Sequence, residues 1–163
     1  YEMKSAITEH CFLKSPIGWL RIEADSYGVT RIEFLENPPL SAPMIRSPFL
    51  KETYNQLAEY FRGDRISFKL TLNLKGTDFQ QQVWSALGNI PFGTTASYKD
   101  IAEKIGCPKG ARAVGMANNK NPLPIVVPCH RVIGVSGDLT GYAGGMEIKT
   151  DLLRHERVNN SNL

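Results

Sequence analysis

The sequence predicts an α+β chain in two parts, an α/β N-terminal unit over residues 1–75 and a mainly helical unit over residues 76–163. Three observations carry this. Short alternating apolar runs separated by turn residues fill the first part. Helix-start signals followed by apolar residues at helical spacing fill the second. Lys75-Gly76 stands between the two patterns. With 163 residues, 42% of them hydrophobic, the chain has material for a real core.

In the first part, residues 5–13 and 17–24 read as strands separated by Ser15-Pro16, placed to pair as a hairpin. Asp25-Ser26-Tyr27-Gly28 is a turn, and residues 29–35 make a third strand. The proline-rich stretch 37–46 is a connection. Ser47 is a good N-cap with Pro48 at the first helical position. Leu50, Tyr54, Leu57, Ala58 and Phe61 follow at helical spacing until Gly63. Ile66, Phe68, Leu70, Leu72 and Leu74 alternate strictly, which predicts a half-buried strand. His10 beside Cys11 hints at a metal, but strand alternation sends neighbours to opposite faces, so both are expected to be structural.

In the second part, Thr77 with Gln80 forms a capping box ahead of Phe79, Val83, Trp84 and Leu87, with Gly88 and Pro91 beyond. Ser97 with Asp100 opens another helix, whose apolar positions stop at Gly106. A third runs from Ala111 towards Asn118. Two short helices about a tight turn containing glycine describe a helix-turn-helix. The second of them is built from small residues (Ala111, Ala113, Val114, Gly115, Ala117) around a lone Arg112. Small side chains let a backbone approach a partner closely, and the long Arg can then reach into it. Residues 134–145 hold five glycines with Tyr142 among them, a loop suited to close approach to a ligand. A last helix from about Met146 shows Ile148, Leu152 and Leu153 as its apolar face, with His155-Glu156 near its end.

The net charge of +3 is mild, but residues 97–131 hold six basic side chains against Asp100 and Glu103, a local +4 suited to a phosphate backbone. The cysteines at 11, 107 and 129 are odd in number and show no CxxC, which excludes a disulfide framework and a zinc ribbon. No stretch resembles a signal peptide or a membrane span, so a cytoplasmic, reduced setting without membrane contact is expected.

Chemistry concentrates at Pro128-Cys129-His130-Arg131. The apolar run Ile125-Val126-Val127 reads as a strand leading into it, and Pro128 stiffens the approach. An isolated Cys-His pair is more often structural, but a thiol beside a base and a positive charge also describes a nucleophile. His130 and Arg131 are the expected sources of activation.

Six ordered blocks decide between these readings: Thr95-Ala96-Ser97-Tyr98, Ala111-Arg112-Ala113-Val114-Gly115, Asn121-Pro122-Leu123-Pro124-Ile125, Pro128-Cys129-His130-Arg131-Val132, Gly141-Tyr142-Ala143-Gly144-Gly145 and Leu152-Leu153-Arg154-His155-Glu156. Together they closely resemble the O6-alkylguanine-DNA alkyltransferases, also called methylated-DNA–protein-cysteine methyltransferases. The first part resembles that family's ribonuclease-H-like domain in layout only. The resemblance implies that Cys129 takes the alkyl group from guanine O6, and from O4-alkylthymine, irreversibly and once per chain. His130 would draw the thiol proton through a water, Glu156 would orient His130, Asn121 would brace the turn, and Tyr98 would assist guanine N3. Double-stranded DNA would be held in its minor groove by the helix-turn-helix, with contacts from Ser97, Ala111, Gly115 and Arg131. Arg112 would fill the gap left by the flipped nucleotide. Val132, Tyr142, Ala143 and Gly144 would line the base pocket, Ala143 through its backbone amide where many relatives carry Ser. A monomer is implied, open to cooperative assembly on DNA. No cofactor is implied, and no zinc is expected, since the N-terminal part offers only His10 and Cys11 where zinc-holding relatives use two Cys and two His. Two other classes remain at this point. A non-catalytic lesion binder of the alkyltransferase-like type would carry Trp in place of Cys129. A cysteine hydrolase using Cys129, His130 and Glu156 leaves Arg112 unexplained.

Overall fold

Alternating apolar residues set the first sheet. The computed structural model describes residues 7–137, 139, 141–142 and 144–160. In it β1 (Glu9–Ser15), β2 (Gly18–Ala24) and β3 (Val29–Phe34) form an antiparallel sheet in sequence order. Register pairs Cys11 with Ile22, Leu13 with Leu20, and Ile22 with Ile32, so one face is apolar. That face and Leu50, Leu57 and Tyr60 of α1 (Pro48–Phe61) are buried, and α1 lies against all three strands. Ser47 caps α1, accepting from the Leu50 amide. Cys11 belongs to this core, whereas half-buried His10 meets the Phe12 ring edge-on. Residues 5 and 6 of the expected first strand lie outside the described residues.

The expected strand over residues 66–74 is not one. Its ladder is a single parallel bridge between Val29 and Leu72, made by Val29 N–H to the Thr71 carbonyl and Asn73 N–H to the Val29 carbonyl. The reason lies in a side chain. Gln56 of α1 donates to the Lys69 carbonyl at 3.1 Å and accepts from the Lys69 amide at 2.9 Å, taking the backbone groups that a neighbouring strand would need. Alternation survives, with Phe68, Leu70 and Leu72 half-buried and Lys69 and Thr71 exposed, because packing needs only an extended chain. Gly28 permits the approach, since a Cβ there would meet the Thr71 carbonyl oxygen at 2.7 Å.

The chain divides into two compact units, Tyr1–Lys75 and Gly76–Leu163. In the second, α2 (Asp78–Leu87) and α3 (Tyr98–Lys104) each start with a complete capping box, Thr77 with Gln80 and Ser97 with Asp100. A six-residue connection leads from α3 to α4 (Ala111–Asn119), whose start has no side-chain cap. Val83, Trp84, Ile101, Val114 and Ala117 form the buried centre of these helices, and the Trp84 indole donates to the Ala117 carbonyl at 2.9 Å. Two short strands, β4 (Ala96–Ser97) and β5 (Val132–Ile133), pair in parallel. The last helix, α5 (Met146–Asn160), buries Lys149, Leu152 and Glu156, while Ile148 and Leu153 are only half-buried. The apolar face expected there is therefore rotated, because its buried stripe is two-thirds polar.

Candidate active site

Everything at this site follows from how residues 121–131 turn. The expected strand over residues 125–127 is a tight loop instead. Asn121 holds it from inside, accepting from the Leu123 amide at 3.0 Å and donating to the Val127 carbonyl at 2.8 Å. Between them the fully buried Ile125 sits at φ 75°, a conformation that costs a β-branched residue about 1–3 kcal/mol. Pro128, at φ −80° and ψ 64°, is the centre of an inverse γ-turn closed by the Cys129 amide on the Val127 carbonyl at 2.8 Å. Cys129–Arg131 then form one 3-10 turn leading into β5. Two turns in series, the first fixed by proline, leave the thiol one direction.

Behind the thiol lies a buried network. His130 Nε2 is 2.7 Å from Glu156 Oε2, with the two side chains 0% and 1% exposed. Arg131 grips the same carboxylate with both ends of its fork, Nε to Oε1 at 2.7 Å and Nη2 to Oε2 at 3.0 Å, and donates to the Ile90 carbonyl at 2.7 Å. Burial works against the Glu156 charge. The His130 N–H and the Arg131 guanidinium outweigh it and hold the carboxyl well below the usual carboxylate range. Burial also lowers His130, against the pull of Glu156. His130 is thus a neutral imidazole whose proton sits on Nε2, facing the carboxylate, and whose Nδ1 is an acceptor.

Arg131 therefore does not face DNA. It was expected at the DNA surface and as a source of thiol activation, and it is instead committed inward to Glu156. The positive charge that bears on Cys129 belongs to Lys149. This lysine is fully buried, its Nζ donates to the Val132 carbonyl at 2.7 Å, and burial lowers its pKa. Sequence reading passed over it. Its signal was the spacing of Lys149, Leu152 and Glu156, which puts two charged residues on one helical stripe with a leucine. Burial pushes the Cys129 thiol up to about 11. Hydrogen bonds from the Asn121 amide and its own backbone, the Lys149 charge and the Tyr142 hydroxyl all act the other way. The resting group is a thiol, so attack on an electrophile needs a base, and His130 is the neighbouring one.

The remaining expected residues fall into two places. Pairing of β4 with β5 sets Ala96 opposite Val132, whose side chain is buried, and Ser97 opposite Ile133, so that Tyr98 starts α3 directly after the paired segment. Ser97 Oγ accepts from the Asp100 amide as a helix cap. Tyr98 packs against Gly115, where an added Cβ would lie 3.7 Å from its ring, so one of the small α4 residues faces the tyrosine. Arg112 is exposed on α4, with Ala111 half-buried beside it. Met116, 67% exposed and one turn further on, shares the face of Arg112. Gly144 is half-buried, and Ala143 lies outside the described residues.

Comparison with known proteins places the chain among relatives. Residues 78–158 match the family model described as 6-O-methylguanine DNA methyltransferase, DNA binding domain. A methylated-DNA–protein-cysteine methyltransferase of Methanosarcina acetivorans is 44% identical over 151 residues, covering 90% of this chain and 97% of that protein. The crystal structure of the Mycobacterium tuberculosis O6-methylguanine methyltransferase superposes with a TM-score of 0.83 at 43% identity, covering 94% of each chain. The Mycobacterium tuberculosis OGT in complex with DNA gives 0.83 at 45% identity, covering 92% of this chain and 93% of that one. Identity of 44% running through both units, over 90% of this chain, makes it a member of the methylated-DNA–protein-cysteine methyltransferase family.

Proposed function

We propose that this chain repairs O6-alkylguanine in double-stranded DNA by moving the alkyl group onto its own Cys129, once and irreversibly. The observation that carries the reading is the buried pair of His130 and an ionised Glu156, 2.7 Å apart, with His130 directly following the buried Cys129. In the proposed reaction the thiol proton passes by way of a water to His130, and Glu156 stabilises the imidazolium. The Cys129 Sγ–carbon bond forms as the carbon–O6 bond breaks. The electron pair leaves with guanine, and the Tyr98 hydroxyl protonates it at N3. A thioether has no bond that water readily cleaves, so each chain acts once.

DNA binding is assigned to α3 and α4 as a helix-turn-helix set in the minor groove. Support comes from the exposed Lys99, Lys104, Lys109, Arg112 and Lys120 around a face of small residues. Arg112 takes the place of the flipped nucleotide, and Tyr142, Gly144 and the Ala143 amide form the base pocket. A ribonuclease-H-like assignment of the first unit, a monomeric state and a cytoplasmic site of action complete the reading, and O4-alkylthymine is a second substrate.

Intact mass spectrometry after mixing the protein with a duplex carrying one O6-methylguanine tests it. One added methyl per chain, mapped to the Cys129 peptide and absent in Cys129→Ala, is expected. Binding without a mass change, or product beyond one equivalent, would reject the reading.

A further inference from the structure

We propose that Asn118 is a positioning residue for the proton path, its side-chain oxygen holding the water that carries the Cys129 proton to His130. This deepens the alkyl-transfer reading and rests on it. Among the described residues, Asn118 Oδ1 and His130 Nδ1 are buried side-chain atoms with no hydrogen-bond partner. Asn118 is 2% exposed and His130 0%. Buried polar atoms are seldom left unmatched, and two unmatched acceptors, one on the residue after Cys129 and one on the side chain that reaches the Cys129 carbonyl, describe a polar site for a single water. The Asn118 amide is also oriented. Its Nδ2 faces the Cys129 carbonyl at 3.4 Å, which turns Oδ1 away from that carbonyl and keeps it within one amide's width of the Cys129–His130 peptide.

The hydrogen-bond inventory closes. His130 keeps its proton on Nε2 towards Glu156, so Nδ1 accepts one O–H of the water. Asn118 Oδ1 accepts the other, and the water oxygen accepts the Cys129 S–H. That makes three partners, the usual number for a buried water. In the reaction the water gives a proton to Nδ1 and takes the thiol proton, so it leaves the step unchanged. His130 ends positive, and the pair from the broken carbon–O6 bond leaves on guanine. Without Asn118 Oδ1 the water would lose the acceptor that keeps one of its hydrogens off the path. The ionisable groups bearing on this path are Glu156 and Lys149 of α5, Arg131 and Tyr142.

The test is Asn118→Leu, which removes the acceptor with little change in size, with Asn118→Ala as a second variant should the first lose its thermal transition. Carbamidomethylation of Cys129 by iodoacetamide, with iodide leaving, read by peptide mass across the neutral to alkaline range, reports the proton path without DNA. The expected result is a rate about tenfold lower near neutral pH, with the gap closing at alkaline pH where the thiol ionises unaided. Methyl transfer from the duplex should slow in parallel while the Kd for DNA stays unchanged. An unaltered pH profile, or equal slowing at every pH, would overturn the proposal and leave Asn118 a brace for the turn. A change confined to bulky alkyl substrates would also overturn it and put Asn118 on the pocket wall. Should the wild type take no methyl from DNA while the iodoacetamide result holds, the alkyl-transfer reading fails and the proton path stands.

Discussion

Glu156 is the residue on which the site turns, since it accepts from both His130 and Arg131 in the interior. Glu156→Gln leaves the Arg131 charge without its partner, and breaking a buried pair in this way costs about 3–5 kcal/mol. Urea denaturation should show that loss, and single-turnover transfer should slow because the imidazolium is no longer stabilised. A variant as stable and as fast as the parent would contradict the network. Lys149 poses a separate question. Lys149→Met removes the positive charge near Cys129 and strands the Val132 carbonyl, an unsatisfied buried acceptor worth about 1–3 kcal/mol. The transfer rate at neutral pH should drop and recover partly as pH rises, because the thiol then ionises without help. If the rate follows the parent at every pH, the lysine acts on structure alone.

At the scale of elements, caps and small residues carry the argument. Thr77 and Ser97 each hold a complete capping box, so replacing either by Ala should cost about 1 kcal/mol. Ser97 differs in consequence, since its helix begins with Tyr98. Ser97→Ala is therefore expected to lower the transfer rate as well as the melting temperature, whereas Thr77→Ala lowers only the latter. Equal effects on rate would separate Tyr98 from the reaction. On α4, Arg112→Ala should slow repair in duplex DNA far more than reaction with the free alkylated base, because the exposed guanidinium makes no contribution inside the unit. Equal losses on both substrates would remove its stacking role.

For the whole molecule, the two units respond to acid through different groups. In the second, both His130 and Glu156 have lowered pKa values in the folded chain. The unfolded chain then binds more protons, so stability falls as pH drops below the ordinary histidine value of 6.5 and falls further through the carboxylate range. In the first unit, burial opposes the Asp25 charge. Hydrogen bonds from the Tyr27 amide, the Asn73 side chain and the Gly28 amide keep its pKa lowered, so acid acts only in the carboxylate range. The chain has two tryptophans, Trp19 in the first unit and Trp84 in the second. Single-tryptophan variants should report thermal stability falling at milder acidity for Trp84 than for Trp19. Coincident curves would mean the two units unfold together.

Local rules reached far along this chain. The hairpin, three of the helix starts and the placing of the thiol after Pro128 were legible because caps, alternation and proline act within a few residues. The division between Lys75 and Gly76, where the chain parts into two compact units, was legible from the change of pattern alone. What escaped was decided by partners distant along the chain. Gln56 bound the backbone of Lys69 and left an alternating run without a ladder. Asn121 curled an apolar run into a loop, with Ile125 held at positive φ. Glu156 drew Arg131 inward across 25 residues, and Lys149 reached Val132 across 17. Each is a hydrogen bond from a side chain to a group that periodicity does not pair with it, from 6 residues away for Asn121 and Val127 to 25 for Arg131 and Glu156. Periodicity records which face of an element is apolar, but the partner of a buried polar group is chosen only when the chain has packed.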